Sequence, residues 1–201
     1  MNRILSTLPL LGILLLLSGC LYDNPPSGPV RSIDTWLVGQ WGTKDKAGHE
    51  CSAVVSPTNA SDHYRVTFSR LGSRPQEFDG WISRVDGFSI LVLKSLNDFG
   101  AGGTAGAGKY LLFHYELLSP GTPSPGGLGA ERIRLSEIQL DDSARSLDSF
   151  KLRAAIRSAL KAGTLLAPFD TVAERKGKIE ALPGSVLWTK TGSVTLQGET
   201  F

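Results

Sequence analysis

The sequence predicts a mainly β fold: an antiparallel sheet curled into a barrel or half-barrel, with one α-helix in the C-terminal region. Three observations carry this reading. Apolar and polar residues alternate through the middle of the chain, the period of a strand with one buried face. The 201 residues include 23 Gly and 11 Pro, enough to punctuate many short elements with turns. A single segment, from Leu147 to Ala162, changes to helical spacing.

The elements follow in order. Ser32–Leu37 is expected as a short helical turn, with Val38-Gly39-Gln40-Trp41 opening the first strand. In His63–Leu71, Tyr64, Val66 and Phe68 point one way while Arg65, Thr67 and Ser69 point the other. That pattern is a half-buried antiparallel strand. Phe88–Lys94 and Tyr110–Leu118 are apolar on both faces and are expected as central strands. Asp86-Gly87 between apolar runs marks a hairpin, because glycine accepts the positive φ of a tight turn. Asp79-Gly80 is either a second turn or a kink within the preceding strand. Ile133 and Leu135, then Ile138 and Leu140, break phase by one residue, which predicts a bulge near Ser136-Glu137.

In the helical segment Leu152, Ile156, Ala159 and Leu160 form the apolar stripe. Ser146 or Asp148 caps its start and Gly163 suits its end. Arg145, Arg153, Arg157 and Lys161 line the opposite side, a solvated helix face or a contact for anionic headgroups or an acidic partner. Lys190-Thr191-Gly192-Ser193 is expected to close a final hairpin, with Val186 and Trp188 facing Val194 and Leu196.

Charge excludes some function classes. Lys and Arg number 21 against 19 Asp and Glu, a net of +2. Nucleic-acid-binding domains usually carry a strong basic excess on one face, so no nucleic-acid partner is expected. With 41% apolar and 20% charged residues, the chain is not an acidic disordered tail. The balance is uneven along the chain. Arg145–Phe201 has nine basic and five acidic residues, whereas Cys20–Ala144 has 11 basic and 14 acidic.

The first 20 residues form an address. Arg3 supplies a positive start and no acid precedes Asp23. An apolar run from Leu8 to Leu17 follows, well short of the ~20 residues of a membrane-spanning helix. It ends in Leu17-Ser18-Gly19-Cys20. These four residues resemble the lipobox of bacterial lipoproteins. The resemblance implies cleavage between Gly19 and Cys20, a diacylglycerol on the Cys20 sulfur and usually a third chain on its amine. Leu21 stands where Asp often retains such proteins at the inner membrane, which favours the periplasmic face of the outer membrane. The chain then divides into a signal peptide (1–19), an acylated Cys20 with a Pro-rich flexible tether (20–31) and one domain (32–201). Cleavage removes Arg3 and no acid, leaving 20 basic and 19 acidic side chains. Of the two cysteines, Cys20 takes lipid, so Cys51 has no partner for an intramolecular disulfide and reads as a small buried hydrophobe.

The motifs give no reaction. Gly103-Thr104-Ala105-Gly106-Ala107-Gly108-Lys109 fits the spacing of a nucleotide phosphate loop, but Tyr110 stands where Ser or Thr would hold Mg²⁺ and a strand follows instead of a helix. His49, His63 and His114 are scattered without metal-ligand spacing, so no metal or cofactor is expected. His49 and Cys51 alternate on one strand face, as do His114 and Glu116, which brings each pair within reach for acid–base work. Neither has an orienting third group or an oxyanion hole, so no catalytic residue is assigned and an enzyme is not expected. Asn59-Ala60-Ser61 fits a glycosylation sequon and reads as a turn.

The start of the domain carries one fold-level likeness. A short helical turn leading into Gly39-Gln40-Trp41 resembles lipocalins and other calycins. In those families the tryptophan matching Trp41 packs across the closed end of the barrel, so Gly39 and Trp41 are expected in structural roles. Lipocalins place their main helix after the eighth strand, whereas a terminal hairpin is expected to follow the helix here. The resemblance implies a periplasm-facing binding module for an apolar or amphiphilic small molecule. The alternative is a non-enzymatic envelope protein that docks a partner through a sheet edge or the basic helix face. A hydrolase using Cys51 or His114 is a third reading.

Overall fold

A computed structural model describes residues 21–30, 33–44, 50–70, 74–97, 108–118, 132–138, 140–165, 185–192, 195–196 and 199–200. The strands are β1 (Gly39–Lys44), β2 (Glu50–Pro57), β3 (Tyr64–Arg70), β4 (Gln76–Val85), β5 (Phe88–Ser95), β6 (Tyr110–Leu118), β7 (Arg132–Glu137), β8 (Ser185–Gly192), β9 (Thr195–Leu196) and β10 (Glu199–Thr200). Helix α1 (Ser149–Ala162) lies between β7 and β8, and Thr35–Leu37 and Asp142–Ser146 form 3₁₀ turns.

Strands β1 to β8 pair antiparallel in chain order, and β8 returns to pair with β1, so the sheet is a closed barrel. Closure leaves no free edge among these eight strands, which removes the sheet-edge route to a partner there. The β1–β8 seam slips by one residue: Gln40 faces Gly192 but Trp41 faces Lys190, leaving Thr191 as the extra residue of a bulge. The sheet thus accepts the helix ahead of its last strand and still closes.

Two cores explain the apolar pattern. The first fills the barrel with Leu37, Trp41, Tyr64, Val66, Phe78, Ile82, Leu91, Leu93, Leu111 and Ile133. The second lies outside, where Leu152 and Ile156 of α1 cover Trp81, Val85, Ile90, Val92 and Leu112. Strands β5 and β6 are therefore apolar on both faces because one face lines the barrel and the other meets the helix. Complete burial of Leu152 and Ile156 contributes on the order of 1.5–3 kcal/mol each.

Helix α1 begins where Asp148 Oδ1 accepts the Lys151 N–H at 2.8 Å, so Asp148 is the cap. It ends at Gly163, where the Gly163 and Thr164 N–H groups reach back to Leu160 O and Ala159 O. Arg157 pairs with Asp86 and Arg153 Nη2 donates to Arg84 O at 3.5 Å. Two members of the basic stripe are thus engaged with the barrel wall.

Of four local expectations, one is decided between its alternatives and three are corrected. Asp79-Gly80 lies inside β4, with Gly80 opposite Tyr64 and Leu93. A Cβ on Gly80 would stand 3.0 Å from a Leu93 methyl, so close packing explains the glycine. The β6–β7 register runs without interruption from Leu118↔Arg132 to Phe113↔Glu137, so no bulge occurs near Ser136-Glu137. Ile138 breaks the inward pattern because it joins the outer core. Lys190-Thr191-Gly192 continues β8 along β1 instead of turning, and β9 pairs with β10 in a separate two-stranded sheet.

The fourth concerns the segment read as a flexible tether. Residues 21–30 are strapped to the barrel. The Tyr22 ring is wholly buried, its hydroxyl donates to Ile138 O at 3.1 Å, and its backbone exchanges hydrogen bonds with Tyr110 at 2.9 and 3.0 Å. Asp23 pairs with Lys109, and Asn24 Nδ2 donates to Leu147 O at 3.1 Å. Trp81 Nε1 donates to Ser27 O at 3.1 Å, Ser27 meets Ser83 through their hydroxyls, and Val30 N–H donates to Ile82 O at 2.8 Å. Prolines exclude a regular ladder, but they do not prevent docking through separate side-chain and backbone contacts.

Candidate functional site

The barrel interior is graded from one end to the other. At the end where β1 begins, the Thr35–Leu37 turn folds under the strands. Asp34 caps this turn, its Oδ1 accepting the Trp36 N–H at 3.0 Å, while its Oδ2 accepts the Tyr115 hydroxyl at 3.1 Å. The Tyr64 hydroxyl accepts the Asp34 N–H and donates to Asp34 O at 3.1 Å. Burial, followed by the nearby Asp34 charge, pushes the Tyr115 phenol up to about 12. The Tyr64 phenol is also pushed above its ordinary value, chiefly by burial. Trp41 is 2% exposed and its Nε1 donates to Leu37 O at 2.8 Å. The Lys190 ammonium lies 5.8 Å from the Trp41 ring centroid. Turn, tyrosines and tryptophan close this end.

The opposite end is different in chemistry. Cross-strand partners share a face of the sheet, so the register assigns the inward positions. Cys51 stands opposite Thr43 and Arg70, Phe68 opposite Gln76, and Phe113 opposite Glu137. Arg70 Nε and Nη1 are withdrawn from solvent, and Gln76 Oε1 is buried without a hydrogen-bond partner among the described residues. In the same tier, Phe68 and Phe113 pack partly buried against the inner core. The mouth half therefore sets aromatic side chains directly beside an amide and charged positions.

The candidate residues from the sequence separate in space. Gly39 and Trp41 begin β1 at the end that carries the Thr35–Leu37 turn, where Trp41 is buried and its Nε1 donates to Leu37 O. Gly19, Cys20 and His49 lie outside the described residues. Cys51 is 4% exposed on the inner wall. His114 stacks on Phe88 with ring centroids 4.2 Å apart, and its Nδ1 lies 3.2 Å from Ser89 O. Glu116 instead accepts from Arg134 at 3.0 Å, so different partners hold the two residues of that pair. His63 Nδ1 meets Asp79 at 2.9 Å on the outer wall. Lys109, the end of the phosphate-loop-like run, is held by Asp23, and Tyr110 begins a strand.

Gln76, Arg70 and the Asp34–Tyr115 contact were missed. Arg70 continues the even-numbered phase of Tyr64, Val66 and Phe68, and Gln76 shares the phase of Phe78 and Ile82. Extending alternation to the strand ends finds these two. Asp34–Tyr115 spans 81 positions, and no local pattern encodes it. Compared with known proteins, the chain matches no family model, no curated protein and no solved structure.

Proposed function

We propose that this chain is a lipid-anchored envelope protein whose barrel binds an apolar or amphiphilic small molecule through the end opposite the Thr35–Leu37 turn. The observation that carries the reading is Gln76 Oε1, buried without a described partner beside the Phe68 register position. An unsatisfied buried acceptor costs about 1–3 kcal/mol. A bound donor group at the mouth removes that cost. An eight-stranded barrel is wide enough for side chains to fill or for one small ligand. The inner core runs from Leu37 and Trp41 at the turn to Phe78, Leu93 and Leu111 toward the other end, and the guest is placed over these last residues at the rim.

The anchor belongs to the same proposal. Leu17-Ser18-Gly19-Cys20 supplies the lipid attachment at Cys20, and Leu21 supports placement at the outer membrane facing the periplasm. Two or more acyl chains give stable attachment, each buried CH₂ contributing about 0.8 kcal/mol.

The test is solvent extraction of the purified protein and native mass spectrometry, followed by calorimetric titration with the extracted compound. A stoichiometric amphiphile whose affinity falls about tenfold in Gln76→Leu supports the reading. An empty protein that takes up neither fatty acids nor lysophospholipids refutes it.

A further inference from the structure

We propose that the anchor holds the mouth of the barrel against the bilayer surface, so that an amphiphile can pass from the membrane into the interior without crossing free solvent. This rests on the lipid-anchor reading of Cys20 and goes beyond it by assigning the face that meets the lipid.

The inference follows from where the strap begins. Tyr22 is fixed by a buried ring, a hydroxyl bond to Ile138 O and a two-way backbone bridge to Tyr110. Tyr110 is the first residue of β6, and β6 begins at the mouth: Lys109 O accepts the N–H of Ser95, the last residue of β5, and Leu96 N–H donates to Glu77 O near the start of β4. The strap then leaves the mouth. It passes Ser83 and Ile82 of β4, reaches Ser61 O through the Ile33 N–H, and enters the Thr35–Leu37 turn at the closed end.

Cys20 is two residues before Tyr22, and two extended residues span at most about 7 Å. The ten residues of β4 rise roughly 25 Å along the barrel axis after strand tilt. An anchor with about 7 Å of slack therefore places the mouth rim, and not the closed end, at the headgroups. A free 20–31 tether would have allowed any orientation. Docking of 21–30 removes that freedom, and the partly exposed Leu96 follows the end of β5 at the same rim.

The experiment uses full-length acylated chain in vesicles of phosphatidylethanolamine and phosphatidylglycerol. In a Cys51→Ala background, a fluorophore is placed through Leu96→Cys at the rim or Trp36→Cys at the closed end, where the native side chain is 58% exposed. Lipids with a nitroxide headgroup act as quenchers. The rim probe is expected to be quenched at least threefold more than the closed-end probe. Inserting 12 Gly/Ser residues between Leu21 and Tyr22 adds about 20 Å of reach and should bring the two values together. Equal quenching in acylated protein, or no response to the insertion, overturns the inference alone. Mass spectrometry showing no acyl group on Cys20 overturns the anchor reading and the inference with it.

Discussion

Arg157 donates from Nε and Nη2 to the two carboxylate oxygens of Asp86, at 2.7 and 3.0 Å, joining α1 to the tip of the β4–β5 hairpin. Asp86 and Gly87 both have positive φ, 50° and 84°, so the turn has the backbone that fits a twisted two-residue hairpin. The acid thus serves the turn and the helix together. A bidentate arginine fork fixes geometry as well as charge.

The pair is tested with Asp86→Asn, which keeps a residue tolerant of positive φ and removes the charge. The Arg157 hydrogen bonds hold the Asp86 carboxyl below its ordinary 3.8. A lowered folded value means that the contribution is present above the unfolded pKa and is lost as pH falls through the folded one. The variant should have a lower urea midpoint at neutral pH, with the difference shrinking in acid and in high salt. Equal midpoints throughout would remove any energetic role for the pair.

Tyr22 distinguishes a strap from a tether. Removing a wholly buried aromatic side chain should cost about 3–5 kcal/mol, so Tyr22→Ala should lower the thermal midpoint strongly and expose 21–30 to proteolysis. Tyr22→Phe loses only the bond to Ile138 O, worth roughly 1 kcal/mol. A flexible tether predicts no change in either variant, measured by differential scanning calorimetry and limited proteolysis.

Gly39 is held at φ +147°, and a Cβ there would lie 2.6 Å from Lys190 Cε and 3.1 Å from Gly192 O. The lysine chain can move aside, whereas the backbone oxygen belongs to the strand that closes the barrel. Gly39→Ala should therefore destabilise by about 1–3 kcal/mol, with hydrogen exchange rising first along the β1–β8 seam. Protection unchanged at the seam would show that the glycine is not required there.

The barrel was legible because alternation is local. Tyr64, Val66 and Phe68 announce an inner face, and two-sided apolar runs at 88–94 and 110–118 announce a covered outer one. Helix α1 was legible from its spacing and its ends. The strap was not, because Tyr22 finds its partners at Tyr110 and Ile138, far along the chain. The same distance hid the β1–β8 seam, where Lys190-Thr191-Gly192 has turn composition but strand pairing. At the mouth, Gln76 and Arg70 stand at strand ends beyond the alternation read from Tyr64, Val66 and Phe68, and closure of the sheet turns their phase inward.

The closed end gives an alkaline signature. Tyr115 ionises at about 12 in the fold against the ordinary 10.0, because its phenol is buried and faces the Asp34 carboxylate. A folded pKa above the unfolded value means that the stabilising contribution is complete below about 10 and is lost as pH rises through the folded value. Tyr64 shifts in the same direction. Tyrosinate absorbance from these two rings should therefore lag behind free tyrosine and rise together with loss of the near-ultraviolet dichroism. In Tyr115→Phe the alkaline midpoint should move upward, since one ionising group is gone, while neutral stability falls by about 1 kcal/mol with the bond to Asp34. If Tyr115 instead titrated near 10 with the fold intact, the hydroxyl would be solvated and the end of the barrel open.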